Sequence, residues 1–254
     1  MAEEMIYRGM DDLTDEKAAY FRRAAEAGNK EAQFIMGMAY MYGKCVKADD
    51  REAFSWFEKA AMQGDATAQH NLAGMYAQGR GVEEDRQKAA LWYRKAADQG
   101  EPTAQYNIAV MLLNGIGVEV DEKAAAVYFD QSLNQGMTDA ALSLGWMYLE
   151  GRGVEQDEKK AAELVGKAAE GGNAAAQNSL GVFYMNGAGV EPNPTKAKEW
   201  FEKSAKQGND EAQYHLGLMY EKGFGVHVDN DKAAEWYEKA AARGNEKAAR
   251  ALMA

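Results

Sequence analysis

Apolar residues recur along this chain at helical spacing, and the pattern itself recurs. In the segment Glu31-Ala32-Gln33-Phe34-Ile35-Met36-Gly37-Met38-Ala39-Tyr40, positions Ala32, Met36 and Tyr40 stand four apart, the interval that stacks side chains on one face of an α-helix. The same set returns as Ala212, Leu216 and Tyr220. A second segment, Lys88-Ala89-Ala90-Leu91-Trp92-Tyr93-Arg94-Lys95-Ala96-Ala97, gathers Ala89, Tyr93, Ala96 and Ala97 on an apolar face of its own. Two helices therefore make up each unit of the pattern.

Glycine sets the length of the unit. Gly28, Gly64, Gly100, Gly136, Gly172, Gly208 and Gly244 are each 36 residues apart, and a second register runs Gly43, Gly79, Gly115, Gly151, Gly187, Gly223. No insertion interrupts either series. A fixed period of this size is the signature of a solenoid. Asn29, Asp65, Asn173, Asn209 and Asn245 follow the first glycine register as N-caps of helix one, and Asp49, Asp85, Asp121, Asp157, Asn193 and Asp229 precede helix two in the same role. Pro102 and Pro194 sit directly after two cap positions, where a missing N–H costs nothing. The prediction is an all-α, right-handed α/α superhelical solenoid of about six 36-residue helix-turn-helix repeats with partial end caps. Its units are a partial repeat over 1–28, six repeats (29–64, 65–100, 101–136, 137–172, 173–208 and 209–244) and a capping half-repeat over 245–254.

The repeated string carries a resemblance. Ala212-Gln213-Tyr214-His215-Leu216-Gly217-Leu218-Met219-Tyr220, then Gly223-Phe224-Gly225-Val226, then Lys232-Ala233-Ala234-Glu235-Trp236-Tyr237-Glu238-Lys239-Ala240-Ala241 is similar to the Sel-one-like repeat, a longer relative of the tetratricopeptide repeat. The likeness runs from about Leu13 to Leu252. Three departures fall at turn or packing positions: Cys45 replaces the second turn glycine of the first full unit, Ala73 and Ala109 replace a helix-one glycine, and Leu164-Val165 replaces an aromatic pair. Secreted members of the family carry a cysteine pair per repeat, so the resemblance places this chain outside that branch. It also implies an adaptor for protein complexes, of the kind found in bacterial signalling and host-interaction proteins, and a helix one that lines a concave surface.

Composition narrows the functional classes. Lys and Arg number 29 against 40 Asp and Glu, a net charge of −11, which disfavours a phosphate backbone as partner; nucleic acid is excluded on that ground. The lone Cys45 cannot form an intramolecular disulfide, no His/Cys cluster offers metal ligands, and no cofactor is expected. The segment Met1 to Arg8 has acids where a signal peptide carries positive charge, which predicts a cytoplasmic protein off the membrane, or a secreted or periplasmic one if a leader has been removed.

Several motifs resemble chemical signatures but read as structure. The Gly-x-Gly segments, such as Gly79-Arg80-Gly81 and Gly187-Ala188-Gly189, follow a helix and recur, unlike a dinucleotide fingerprint, which follows a strand. Some relatives are described as acting on β-lactams, but Ser-x-x-Lys is absent after Ser55, Ser132, Ser143, Ser179 and Ser204, and Lys-Thr-Gly is absent too. His70, His215 and His227 are dispersed along the repeats and form no triad. Trp56, Trp92, Trp200 and Trp236 share one helix-two position and read as inter-repeat core; Lys59, Lys95, Lys167, Lys203 and Lys239 read as solvated residues complementing the helix dipole. No enzyme is predicted.

Function is sought where repeats differ. Framework residues of helix one leave variable columns facing inward: Phe34, His70, Tyr106, Leu142, Asn178 and Tyr214; then Met38, Gly74, Val110, Trp146, Val182 and Leu218; then Met41, Ala77, Leu113, Leu149, Met185 and Glu221. Tyr106, Val110, Leu113, Leu142, Trp146, Leu149, Val182 and Met185 form the expected apolar band, with Gly74 and Ala77 leaving a hollow beside it. The partner-binding groove is therefore assigned to Phe34, Met38, His70, Tyr106, Val110, Leu113, Leu142, Trp146, Leu149, Val182, Met185, Tyr214 and Leu218, with Trp146 as its centre. Acids at Glu31, Asp139, Glu150, Glu211 and Glu221 favour a protein or peptide with apolar anchors and some basic residues. The chain is expected to be a monomeric scaffold; the alternatives are a β-lactamase-like hydrolase and a self-associating structural protein.

Overall fold

A computed structural model describes residues 13–253. Expectations resting on Met1 to Asp12, including most of the N-terminal half of the 1–28 cap, and on Ala254 lie outside the described residues. The chain falls into two compact units, Met1–Gln135 and Gly136–Ala254. In the first, the helices are α1 (Asp15–Glu26), α2 (Lys30–Tyr42), α3 (Asp50–Met62), α4 (Ala66–Gln78), α5 (Arg86–Asp98), α6 (Pro102–Asn114) and α7 (Glu122–Asn134). In the second they are α8 (Thr138–Glu150), α9 (Glu158–Glu170), α10 (Ala174–Asn186), α11 (Pro194–Lys206), α12 (Asp210–Lys222), α13 (Asn230–Ala241) and α14 (Glu246–Ala251). No strand occurs among the described residues. Within each unit every helix packs on the next, which is the all-α solenoid the period predicts.

Local chemistry explains the regular boundaries. Side chains of Asn29, Asp65, Asn173, Asn209 and Asn245 each accept the N–H three residues on, and Asp49, Asp85, Asp121, Asp157, Asn193 and Asp229 cap the second helices. Pro102 and Pro194 occupy first-turn positions. First helices of the full repeats end on a left-handed glycine, Gly43 and its equivalents, whose N–H returns to a carbonyl of the last turn. At 101 the cap is Glu101, which accepts from Thr103 and Ala104; at 137 it is Met137, which has no acceptor to offer.

The core runs along the seam between paired helices. Phe57, Leu72, Ile108 and Phe129 are fully buried in the first unit, and Met147, Phe183, Phe201 and Leu216 in the second. Beside this apolar seam lies a row of buried glutamines. Nε2 of Gln33, Gln69 and Gln105 donates to the carbonyl eight residues earlier (Ala25, Ala61, Ala97), while Oε1 accepts from Gln63, Gln99 and Gln135 at 2.7, 2.8 and 2.8 Å. Gln177 repeats the arrangement with Ala169 and Gln207. Each such bridge satisfies a buried polar group and ties one repeat to the next. In the repeat beginning at 137 both partners are gone together: Ala141 and Gly171 stand at the two glutamine positions.

Candidate interaction face on the first helices

The variable residues of the first helices are not uniformly open. In the first unit, Phe34 and Met38 are 4% and 5% exposed, with the Phe34 ring 5.7 Å from that of Phe57; they belong to the core and leave no surface to offer. His70, Tyr106, Val110 and Leu113 are half-buried. Tyr106 rests edge-on against Phe129 at 5.6 Å, and His70 lies against Tyr93 at 5.5 Å with Nδ1 3.4 Å from the Glu101 carboxylate.

In the second unit, Leu142, Leu149, Val182, Met185, Tyr214 and Leu218 are half-buried, and Trp146 is exposed at 38%. Val182 and Met185 lean on the cluster around Phe201, Leu216 and Met219, so part of the apolar character of that column is packing between repeats. Tyr214 packs against Tyr237 at 5.7 Å and lies under the Lys247 ammonium. Trp146 stands edge-on to the buried Phe183 at 5.9 Å, which holds its indole while leaving a face open. Glu150 and Asp139 on α8 are exposed.

Two columns have roles that the sequence patterns did not disclose. Lys59, Lys95, Lys203 and Lys239 lie over the indoles of Trp56, Trp92, Trp200 and Trp236, with Nζ 3.8 to 4.2 Å from the ring centroids. The spacing of three residues within one helix brings each cation over its ring. Trp56 is buried, but Trp92, Trp200 and Trp236 are only half-buried, so this column is lidded surface as much as core. Where Leu164 replaces the tryptophan, Lys167 pairs instead with Glu163 at 3.2 Å. The lysine three residues after the tryptophan in four repeats was the readable signal.

The groups that could suggest chemistry are engaged structurally. Ser132 and Ser204 are fully buried and donate to the carbonyls of Pro102 and Ala174, and Ser179 donates to Ala175. His215 stacks on Phe201 at 4.8 Å with Nδ1 3.0 Å from Asn178 Oδ1, and burial holds its pKa below the usual histidine value. His227 is exposed. No group of three His, Cys, Asp or Glu side chains suited to a metal ion occurs among the described residues.

A regular helix-pair solenoid with variable first-helix faces defines the class of repeat scaffolds. The Sel1 repeat model matches residues 18–29, 30–65, 66–101, 102–137, 138–173, 174–209 and 210–245. The chain belongs to the Sel1 repeat family. It is similar to c5321, a protective antigen of uropathogenic Escherichia coli with an SLR fold: identity is 35% and the TM-score 0.86, over 98% of this chain and 54% of that one. It thus spans about half the length of that relative. A Sel1 repeat protein of Oxalobacter formigenes is 30% identical with a TM-score of 0.77, over 94% of this chain and 92% of that one. No curated protein matches. Proteins of this family are generally non-enzymatic scaffolds that bind protein partners.

Proposed function

We propose that this chain captures a peptide segment or partner protein on the free face of its first helices, with Trp146 as the principal anchor. The observation that carries the reading is Trp146 itself. Of the thirteen residues assigned to the face it is the exposed one, and its ring is braced by a buried phenylalanine rather than left mobile. Large, rigid aromatic side chains of this kind dominate binding energy because they bury much area at little entropic cost. Exposed carboxylates at Glu150 and Asp139 favour a partner that brings Lys or Arg beside its apolar anchor.

The test is a pull-down from native lysate with wild type, Trp146→Ala and Leu91→Ala, the last removing an exposed apolar residue from a second helix. Loss of the same bands in Trp146→Ala alone, with unchanged far-UV circular dichroism, supports the face. Retention of those bands by Trp146→Ala refutes it. Light scattering across concentration distinguishes capture of a different protein from capture of a second copy.

A further inference from the structure

In the first unit, the inner column reaches its smallest residue at Gly74, and beneath it opens a hollow of about 350 Å³. Tyr93, on α5, forms the floor. A Cβ added to Gly74 would stand 3.5 Å from the Tyr93 hydroxyl, so the missing side chain is what uncovers that oxygen. The walls mix polar side chains, among them Asn71, Gln78, Arg80 and Asn107, with Met41 and Met75. Tyr93 is 8% exposed, and its hydroxyl has no hydrogen-bond partner among the described residues. The hydroxyl opens into the recess with no protein acceptor, so it is free to donate to a guest, and a hydrogen bond to a charged guest is stronger than one between neutral groups.

The molecule contains a second tyrosine at the same place in a repeat, and it shows what that hydroxyl takes. Tyr237 lies 144 residues, four periods, beyond Tyr93, and its hydroxyl donates to Glu221 Oε2 at 2.6 Å. Glu221 is further supported by the Lys222 ammonium at 2.5 Å. Four periods earlier, the Glu221 position is occupied by Ala77 and the Lys222 position by Gln78. The equivalent of the Glu221 carboxylate is therefore absent beside Tyr93, while the hydroxyl donor remains and a cation, Arg80, stands in the wall.

We infer that the recess beneath Gly74 binds a carboxylate presented by a partner, seated on the Tyr93 hydroxyl and flanked by Arg80 and Asn107. The donors suit this guest. Two guanidinium N–H groups of Arg80 are held by Asp50 (2.6 and 3.4 Å), and three more are available to a second acceptor. Burial first, and the Glu101 charge second, push the Tyr93 hydroxyl up to about 12, so it is a proton donor at any working pH. Glu101 itself is engaged by the N–H groups of Thr103 and Ala104 and by His70, which spends its charge at the start of α6. The carboxylate can come from an Asp or Glu side chain or from a chain terminus, and both share the same chemistry.

This inference rests on the reading that the first-helix face receives a peptide, but its test needs no partner protein. The full chain is titrated with N-acetylglutamate N-methylamide, with N-acetylalanine carrying a free terminal carboxylate, and with N-acetylglutamine N-methylamide as the neutral control. Binding is followed by nuclear magnetic resonance at the Tyr93 ring carbon bearing the hydroxyl and at the Asn107 side-chain amide. Saturable shifts with one or both carboxylates, and none with the glutamine compound, are expected; which of the two saturates identifies the source. Tyr93→Phe, read at Asn107, is expected to bind about tenfold more weakly or worse, the loss of a hydrogen bond to a charged group. Gly74→Val, whose Cβ meets only an ordinary contact, is expected to close the recess and abolish the response. No saturation by either carboxylate, an equal response to the glutamine compound, or undiminished binding by Tyr93→Phe overturns the inference. The titrations do not involve Trp146, and the pull-down with Trp146→Ala does not involve the recess, so a failure of one leaves the outcome of the other standing and the two readings fail separately.

Discussion

Replacing Gly189 with alanine should be far more costly than replacing Gly172 with alanine, although both glycines have positive φ. Gly172 has φ +93°, and a Cβ built on it meets nothing within 4 Å. Its substitution carries only the left-handed penalty, about 1–2 kcal/mol. Gly189 has φ +68°, and its Cβ would overlap the carbonyl oxygen and carbon of Glu158, with Lys159 N at 3.0 Å. Those are backbone atoms of the first turn of α9, so relief requires moving a helix end or the turn itself. Overpacking of that kind adds about 1–3 kcal/mol, for a total of roughly 2–5 kcal/mol from the two terms.

A third glycine in the same unit reverses the sign. Gly166 lies inside α9 with ordinary φ and open space around its Cβ, so Gly166→Ala should stabilise by about 0.5–1 kcal/mol through helix propensity. The three variants can be compared by urea unfolding followed at 222 nm. With a urea slope of about 2 kcal/mol/M, the separation between Gly189→Ala and Gly172→Ala corresponds to a midpoint difference of about 0.5–1.5 M. Repeat arrays unfold with limited cooperativity, so hydrogen exchange should also place the loss at the start of α9. Equal destabilisation by Gly189→Ala and Gly172→Ala would refute the steric argument and show that the turn has slack.

Other substitutions test the remaining structural assignments. Cys45 holds φ +56° where Gly81, Gly117, Gly153, Gly189 and Gly225 hold +68° to +69°; Cys45→Gly should raise stability by about 0.5–1 kcal/mol, measured by thermal unfolding, despite losing the 3.1 Å Sγ contact to Leu13 O. Met137→Asn should restore the missing cap of α8 and add about 1 kcal/mol, seen as slowed amide exchange in its first turn. Burial disfavours the charged form of His215, so its pKa in the folded state lies below the ordinary histidine value of about 6.5. Its contribution to stability is therefore complete above pH 6.5 and is lost as pH falls through the folded pKa; His215→Gln should flatten that part of a stability-versus-pH curve.

The fold was legible because one short motif had to satisfy the same constraints many times over. A glycine at a helix end, an Asn or Asp one residue later and apolar residues four apart are local signals, and their recurrence at 36 residues removes the ambiguity that each has alone. The cap at Glu101 escaped the Asn/Asp pattern because a longer carboxylate performs the same task. The glutamine bridges were visible as letters but not as a structure, since Gln33 and Gln63 meet only after two helices have folded against each other. Their joint loss at Ala141 and Gly171 is the sequence correlate of that contact.

The interaction face was less legible, for a reason rooted in geometry. Variable columns indicate which residues are free of framework duty, but not how far the next helix covers them. Phe34 and Met38 read as surface by column and are core by burial, and Val182 and Met185 lean on a neighbouring cluster. The more discriminating signal is a mismatch between equivalent positions. Tyr237 has its Glu221, whereas the position equivalent to Glu221 in the repeat of Tyr93 is Ala77; the repeat supplies an internal reference in which one copy is complete and the other lacks its acceptor. A hydroxyl that opens to the face through Gly74 and has no protein acceptor has no packing role that phenylalanine, present at the equivalent position as Phe57, Phe129 and Phe201, would not fill as well. Departure from the repeat at three linked positions, 74, 77 and 93, is therefore a stronger pointer to binding than apolar character alone.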